Sequence, residues 1–225
     1  MSSINLHDWK AILHRLRSTS PHNYAVIYEF LNRDAAHCLQ RDILRNSGWV
    51  RRTILRRFNG STGESVQQFN ANPQSEVLGE IVECMVRQFG VEELSLRNCW
   101  AIACDTNEVL FPHCDGGDLS LNLWLSPDDN NASREGGMRF FDVKRTSEMT
   151  ALEYASAKGG CVEFVERNSN RNSVSVEYAF NRAVLFDAWT FHSTDISSFH
   201  GVAGGFSRIN LTFTFDVRRE LLCSQ

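Results

Sequence analysis

Four residues in the second half of the chain have the types and spacing to build a metal centre beside an anion-binding group: His113, Asp115, His192 and Arg208. In His113-Cys-Asp115 the imidazole and the carboxylate stand at positions i and i+2, which project to one side of an extended backbone while Cys114 points away. Two donors leave a metal site incomplete, so a third must come from elsewhere. His192 follows the apolar run Ala183-Val-Leu-Phe-Asp187 within a few residues, where a barrel strand would deliver it to the rim. Two imidazoles and one carboxylate on one face of a first-row metal leave open positions for substrates, the donor set of non-haem Fe(II) centres. His200, closer to Arg208, is the competing third histidine; His192 is preferred because it directly follows the apolar strand in the context Phe191-His-Ser-Thr-Asp195. A histidine near an aspartate is often a hydrogen-bonded surface pair, and an arginine opening an apolar strand is commonly a solvated edge residue. Here the combination of the pair, a histidine at a strand end and an arginine at the next strand argues against both.

The elements that must position these residues change character along the chain. Leu6, Trp9, Leu13 and Leu16 fall on one helical face from Ser3 until Pro21. Tyr24–Phe30 reads as a strand, Asp34–Asn46 as a helix with Gly48 beyond its end, and Trp49–Phe58 as another strand. Ser75 begins a further helix whose stripe is Val77, Leu78, Ile81, Val82, Met85 and Phe89. From Leu94 to Val217 short strands are expected instead: Ser95–Cys104, Leu119–Leu125, Met138–Val143, Cys161–Val165, Ser173–Tyr178, Ala183–Asp187 and Arg208–Asp216. That pattern suggests a sandwich or barrel with the earlier helices packed on one outer face. In the last strand Ile209, Leu211, Phe213 and Phe215 alternate with Arg208, Asn210, Thr212 and Thr214. If the apolar face meets the helices, the polar face looks into the barrel, and a buried arginine there needs an anionic partner.

With 225 residues, 42% hydrophobic and 22% charged, the chain is expected to fold as one globular domain: a mixed lead-in over 1–93, a β core over 94–217 and a tail over 218–225. A net charge of −4 disfavours a general nucleic-acid partner. No apolar window is long enough to span a membrane, and Asp8, Lys10 and His14 break any signal core, so a soluble cytoplasmic protein is expected. The seven cysteines contain no CxxC pair, which favours reduced thiols over disulfides or a zinc knuckle. The arginines at 51, 52, 56 and 57 suit either an anionic ligand or a solvated strand face, the latter being commoner. Gly136-Gly137 and Gly159-Gly160 read as turns before hinges. Trp189 and Phe191 either contact a substrate or wall the barrel mouth.

The order His113-x-Asp115, His192, Arg208 resembles the Fe(II)- and 2-oxoglutarate-dependent dioxygenases. More narrowly, Asn98-Cys-Trp-Ala-Ile, Leu121-Asn-Leu-Trp-Leu-Ser-Pro-Asp-Asp-Asn130 leading to Gly136-Gly137, Asn181-Arg-Ala-Val-Leu-Phe-Asp187 and Arg208-Ile-Asn210 resemble a bacterial subgroup of 2-oxoglutarate oxygenases. The resemblance covers about residues 94–217. It implies a mostly β fold with supporting helices, a double-stranded β-helix (jelly-roll, cupin-like) core with the N-terminal helices packed on one sheet. It further implies Fe(II) held by His113, Asp115 and His192, and 2-oxoglutarate and O2 as cosubstrates. Arg208 would grip the distal carboxylate of 2-oxoglutarate by a bidentate, charge-assisted contact. Asn210 would add a neutral donor, while Asn98, Trp100 and Asn122 would line the cosubstrate pocket. The implied activity is hydroxylation of a small molecule, an amino acid or a natural-product intermediate. A cupin-like metal enzyme that does not use 2-oxoglutarate, and a non-catalytic binding module, remain as alternatives. The interval from His192 to Arg208 is longer than many members show, and Ser193 and Ser207 stand where the subgroup commonly has Glu and Arg.

Overall fold

A computed structural model describes residues 2–45, 50–52, 66–70, 76–90, 93–104, 111–131, 136–194 and 208–217. In chain order its elements are α1 (Trp9–Ser18), β1 (Tyr24–Ile27), α2 (Arg33–Arg45), β2 (Val50–Arg52), β3 (Val66–Asn70), α3 (Glu76–Phe89), β4 (Leu94–Cys104), β5 (Leu119–Trp124), β6 (Met138–Lys144), α4 (Ala151–Ala155), α5 (Cys161–Asn168), β7 (Ser173–Val176), β8 (Ala183–Asp187), β9 (Thr190–Thr194) and β10 (Arg208–Val217).

The alternation in β10 organises the whole. Ile209, Leu211, Phe213 and Phe215 are fully buried on the face that meets the helices, each contributing about 1.5–3 kcal/mol of apolar burial. Their neighbours there include Leu121 and Leu185 from adjacent strands and Leu16, Leu39, Ile81 and Met85 from α1, α2 and α3. β10 lies between β5 and β4 in a seven-stranded antiparallel sheet of order β1-β8-β5-β10-β4-β3-β2. Its opposite face turns toward a three-stranded sheet, β7-β6-β9. Trp124, Val184 and Phe186 of the large sheet pack there on Met138, Phe140 and Val176 of the small one. A third cluster, containing Phe111, Val143, Cys161, Val165 and Phe191, joins α5 to β6 and β9.

Register decides which polar residues share a level. Thr212 stands between Trp100 on β4 and Asn122 on β5, and Asn210 stands between Ile102 and Trp124. Arg208, Asn210 and Thr212 are all buried despite their polarity.

Several sequence expectations require correction. Cys161–Val165 is the start of helix α5, not a strand. Cys161 and Val165, four residues apart, are its buried face, while Glu163, Glu166 and Arg167 are exposed; the spacing is helical although the composition is strand-like. Leu6 lies ahead of α1 and is fully exposed, because the helix begins after Asp8, whose carboxylate accepts from the Ala11 amide at 3.0 Å. β3, α4 and the strand Thr190–Thr194 that carries His192 are elements the sequence pattern does not announce. The described cysteines Cys38, Cys84, Cys99, Cys114 and Cys161 are free thiols. Among the described residues no helix is long and apolar enough to cross a membrane. Gly48, most of the expected strand Trp49–Phe58, and the segment 218–225 lie outside the described residues.

Candidate metal centre

β9 meets the segment ahead of β5 at an isolated antiparallel bridge. His113 and His192 exchange backbone hydrogen bonds in both directions, each 2.9 Å, and their ring centroids stand 4.5 Å apart. The two rings are oriented by the same device. Nδ1 of His113 contacts the Phe111 carbonyl at 2.9 Å, and Nδ1 of His192 contacts the Thr190 carbonyl at 3.0 Å. A carbonyl can only accept, so in each neutral ring Nδ1 carries the proton and Nε2 presents its lone pair. Burial, reinforced by His113, pushes the His192 imidazole down to about 4, which keeps it neutral at ordinary pH.

Asp115 is buried, and its Oδ2 accepts from the Ser120 hydroxyl at 2.8 Å. The same oxygen lies 3.8 Å from Nε2 of His192. With Nε2 unprotonated, two acceptors face each other across that gap, an unfavourable arrangement that a cation between them relieves. Donor atoms of His113, Asp115 and His192 all lie within 4.8 Å of one another. The residues therefore fit a divalent metal, and two imidazoles with one carboxylate match the donor set of non-haem Fe(II). The Nδ1–carbonyl contacts and the Ser120 hydroxyl are the outer contacts that orient such ligands.

The triad lines a cavity of about 260 Å³. Asn122, Arg208, Asn210 and Thr212 supply polar lining, and Trp100, Ile102 and Phe111 supply apolar lining. Hydrogen bonds link the polar residues: Asn210 Nδ2 donates to Thr212 Oγ1 (3.0 Å), and Thr212 Oγ1 donates to Asn122 Oδ1 (2.6 Å). Asn122 Nδ2 in turn contacts the Met138 thioether at 2.9 Å. Arg208 donates from Nε to the Gly136 carbonyl, and its guanidinium carbon lies 5.9 Å from the Tyr178 ring centroid. The Tyr178 phenol is fixed by the Ser126 backbone, whose amide donates to it at 2.6 Å, and burial raises its pKa. Gly136 has φ +82. At Gly137 a Cβ would come within 1.8 Å of the Val176 carbonyl oxygen, so glycine is required where this turn meets β7.

Seven of the eight sequence-predicted site residues thus line one cavity: His113, Asp115, His192, Arg208, Asn210, Asn122 and Trp100. Asn98 does not. It is exposed, and its Oδ1 accepts from the Cys99 amide at 2.9 Å. It shares a strand face with Trp100 but lies two pairs further along, beside the bulge between Thr214 and Phe215. Phe191 points away from the cavity toward Phe164 of α5, at 5.5 Å between centroids. Trp189 also lies outside the cavity lining. Sequence reasoning missed Ser120, although it precedes Asn122 by two positions on β5 and so shares its face. His200, Arg56, Arg57 and Ser207 lie outside the described residues.

Fold and donor set together define a two-sheet antiparallel β protein with a His-Asp-His group that could hold a metal ion, beside a buried arginine. No protein-family model and no curated protein sequence matches the chain. Solved structures do share its fold. A Pseudomonas putida prolyl-4-hydroxylase is 16% identical with a TM-score of 0.60, over 93% of this chain and 99% of its own. The epimerase SnoN, in complex with Fe3+, alpha ketoglutarate and nogalamycin RO, is 16% identical with a TM-score of 0.62, over 96% and 91%. HygX from Streptomyces hygroscopicus, with nickel and 2-oxoglutarate bound, is 12% identical with a TM-score of 0.57, over 96% and 88%. The fold is thus one shared by iron- and 2-oxoglutarate-binding oxygenases and related enzymes, as the sequence resemblance implies.

Proposed function

We propose that the chain is an Fe(II)- and 2-oxoglutarate-dependent oxygenase that oxidises a C–H bond of a small molecule, with hydroxylation as its default outcome. Its core is a double-stranded β-helix over residues 94–217, supported by residues 1–93. The observation that carries this reading is the opening of the His113-Asp115-His192 triad and the buried guanidinium of Arg208 onto one cavity. When bound, Fe(II) with 2-oxoglutarate and O2 supplies the oxidising power for an unactivated C–H bond.

The chain's residues bind, orient and exclude water. His113, Asp115 and His192 hold the metal through Nε2, a carboxylate oxygen and Nε2, with both imidazole protons kept on Nδ1 by backbone carbonyls. Arg208 holds the distal carboxylate of 2-oxoglutarate. Its contact with the Gly136 carbonyl helps set the guanidinium plane, and a planar guanidinium suits a carboxylate fork. Asn122, Asn210 and Trp100 shape the cosubstrate pocket, and the apolar wall of Ile102 and Phe111 keeps water from the metal. Structures sharing the fold include a prolyl-4-hydroxylase and an epimerase bound to a small molecule, which supports the metal chemistry and a small-molecule substrate.

Anaerobic titration tests the reading. Fe(II) and 2-oxoglutarate together should give wild-type protein a weak visible charge-transfer band, absent at the same concentrations in Arg208→Ala. In air the wild type should convert 2-oxoglutarate to succinate. Neither band nor succinate from wild-type protein would reject the proposal. Fe(II) binding that is indifferent to 2-oxoglutarate would instead favour a metal enzyme of another kind.

A further inference from the structure

We propose that Arg145, clamped between Tyr154 and Trp189, is a positioning residue for the metal centre, holding the turn that carries Asp115 against the strand that carries His192. The inference rests on the metal-binding reading above.

His113 and Asp115 sit in a stretch between β4 and β5 that is not part of any strand, so its backbone polar groups must find partners outside a ladder. Apart from the bridge to His192, two of those partners, and two partners of side chains in the same stretch, come from three residues. The Cys114 amide donates to the Tyr154 carbonyl at 2.8 Å, and the Cys114 thiol contacts the Trp189 carbonyl at 3.1 Å. The Gly117 carbonyl accepts from the Arg145 guanidinium at 2.7 Å. Trp189 Nε1 donates to the Asp118 carboxylate at 3.1 Å.

Arg145 joins these contacts into one unit. Its guanidinium carbon lies 4.3 Å from the Tyr154 ring centroid and 4.4 Å from that of Trp189. Its own amide donates to the Trp189 carbonyl at 2.8 Å. The end of β6 and helix α4, close in sequence, thereby meet the distant turn from β8 into β9. Trp189 immediately precedes Thr190, whose carbonyl orients the His192 ring.

The residue type matters. A planar guanidinium can stack on two rings and donate from its edge in the same pose, which neither a lysine nor an apolar side chain reproduces. The acceptor it meets is equally constrained. Gly117 has φ +93, and a Cβ there would lie 2.7 Å from the Phe215 carbonyl oxygen. Arg145 Nε is buried without a hydrogen-bond partner, a cost of keeping the guanidinium between the two rings. Arg145, Tyr154 and Trp189 do not line the metal cavity, so their effect on it must pass through the ligands they hold.

Co(II), titrated by visible absorption, serves as the probe. Arg145→Met should retain the wild-type far-UV circular dichroism but bind Co(II) about tenfold more weakly, with an altered absorption envelope. Arg145→Lys should recover part of the affinity. Tyr154→Leu, which removes one ring and keeps the main chain, should weaken binding less than Arg145→Met and tests the same clamp if that variant does not fold. Arg182 is a matched control, because it lies over the Tyr28 ring at 5.0 Å and also has a buried Nε without a partner, yet lines neither the metal cavity nor the clamp. Arg182→Met should bind Co(II) as the wild type does. Wild-type affinity and spectrum in Arg145→Met, or in Tyr154→Leu where only that variant folds, would overturn the proposal. An equal loss in Arg182→Met would overturn it too, by making the effect one of general destabilisation. A wild-type protein that binds no Co(II) would overturn the metal-binding reading itself.

Discussion

Asp115 presents two oxygens to its surroundings, and one of them is committed. Its Oδ2 accepts from Ser120 at 2.8 Å within a buried pair of neighbours on the loop and β5, which restricts rotation of the carboxylate about its χ2 axis. Removing that hydroxyl leaves the ligand in place but free to turn. Ser120→Ala should therefore keep the fold and raise the Fe(II) or Co(II) dissociation constant about tenfold, measured by anaerobic titration; an unchanged constant would show that the loop alone orients the carboxylate. Arg208 presents the complementary case. Arg208→Lys retains the charge but loses the planar fork, so the 2-oxoglutarate KM should rise at least about tenfold, equivalent to about 1.4 kcal/mol. Metal affinity measured without 2-oxoglutarate should stay unchanged. A KM equal to that of the wild type would mean that charge, not geometry, holds the cosubstrate.

At the scale of elements, the site depends on how closely two sheets and a turn approach. Gly137 sits where the Gly136 carbonyl must reach Arg208 while the chain passes against β7, and a Cβ there would be 1.8 Å from the Val176 carbonyl oxygen. Gly137→Ala should force the turn outward, destabilise the protein by about 1–3 kcal/mol as overpacking does, and weaken 2-oxoglutarate binding because the Gly136 carbonyl moves with it. Urea unfolding and a 2-oxoglutarate titration of the same variant would show both effects or reject the coupling. This level of organisation is also where the sequence was only partly legible. The period-two pattern of β10 disclosed its polar and apolar faces, and the apolar run before His192 disclosed the strand that leads to it, because periodicity reports faces directly. It does not report levels. Asn98 shares a face with Trp100 yet falls outside the cavity, beside a bulge in which Arg97 is the extra residue of β4. Nor does composition separate α5 from a strand when Cys161, Val162, Phe164 and Val165 crowd together. The Arg145 clamp joins segments far apart in the chain, and no local pattern announces such a contact.

For the molecule as a whole, ligands that bind only the folded state must stabilise it. The three proposed metal donors come from two segments separated by most of the β core, His113 and Asp115 before β5 and His192 on β9; unfolding disperses them, so affinity for a metal held there would be stability. Arg208 opens β10, the strand between β4 and β5, so 2-oxoglutarate binding reports on the central sheet as well. At a ligand concentration about a hundredfold above the dissociation constant the gain is about 2.7 kcal/mol, which for a chain of this size corresponds to a rise in Tm of roughly 5–10 °C. Ni(II), which spares the protein from turnover, should raise Tm by that order, and 2-oxoglutarate added to the Ni(II) form should raise it again. The variants divide the two increments. On the proposed function Asp115→Ala should lose both, because the cosubstrate would depend on the metal for binding. Arg208→Ala should keep the Ni(II) increment and lose most of the second. Equal 2-oxoglutarate increments in Arg208→Ala and wild type would remove Arg208 from the cosubstrate site, while a wild-type Tm indifferent to Ni(II) would leave the triad without a metal to hold.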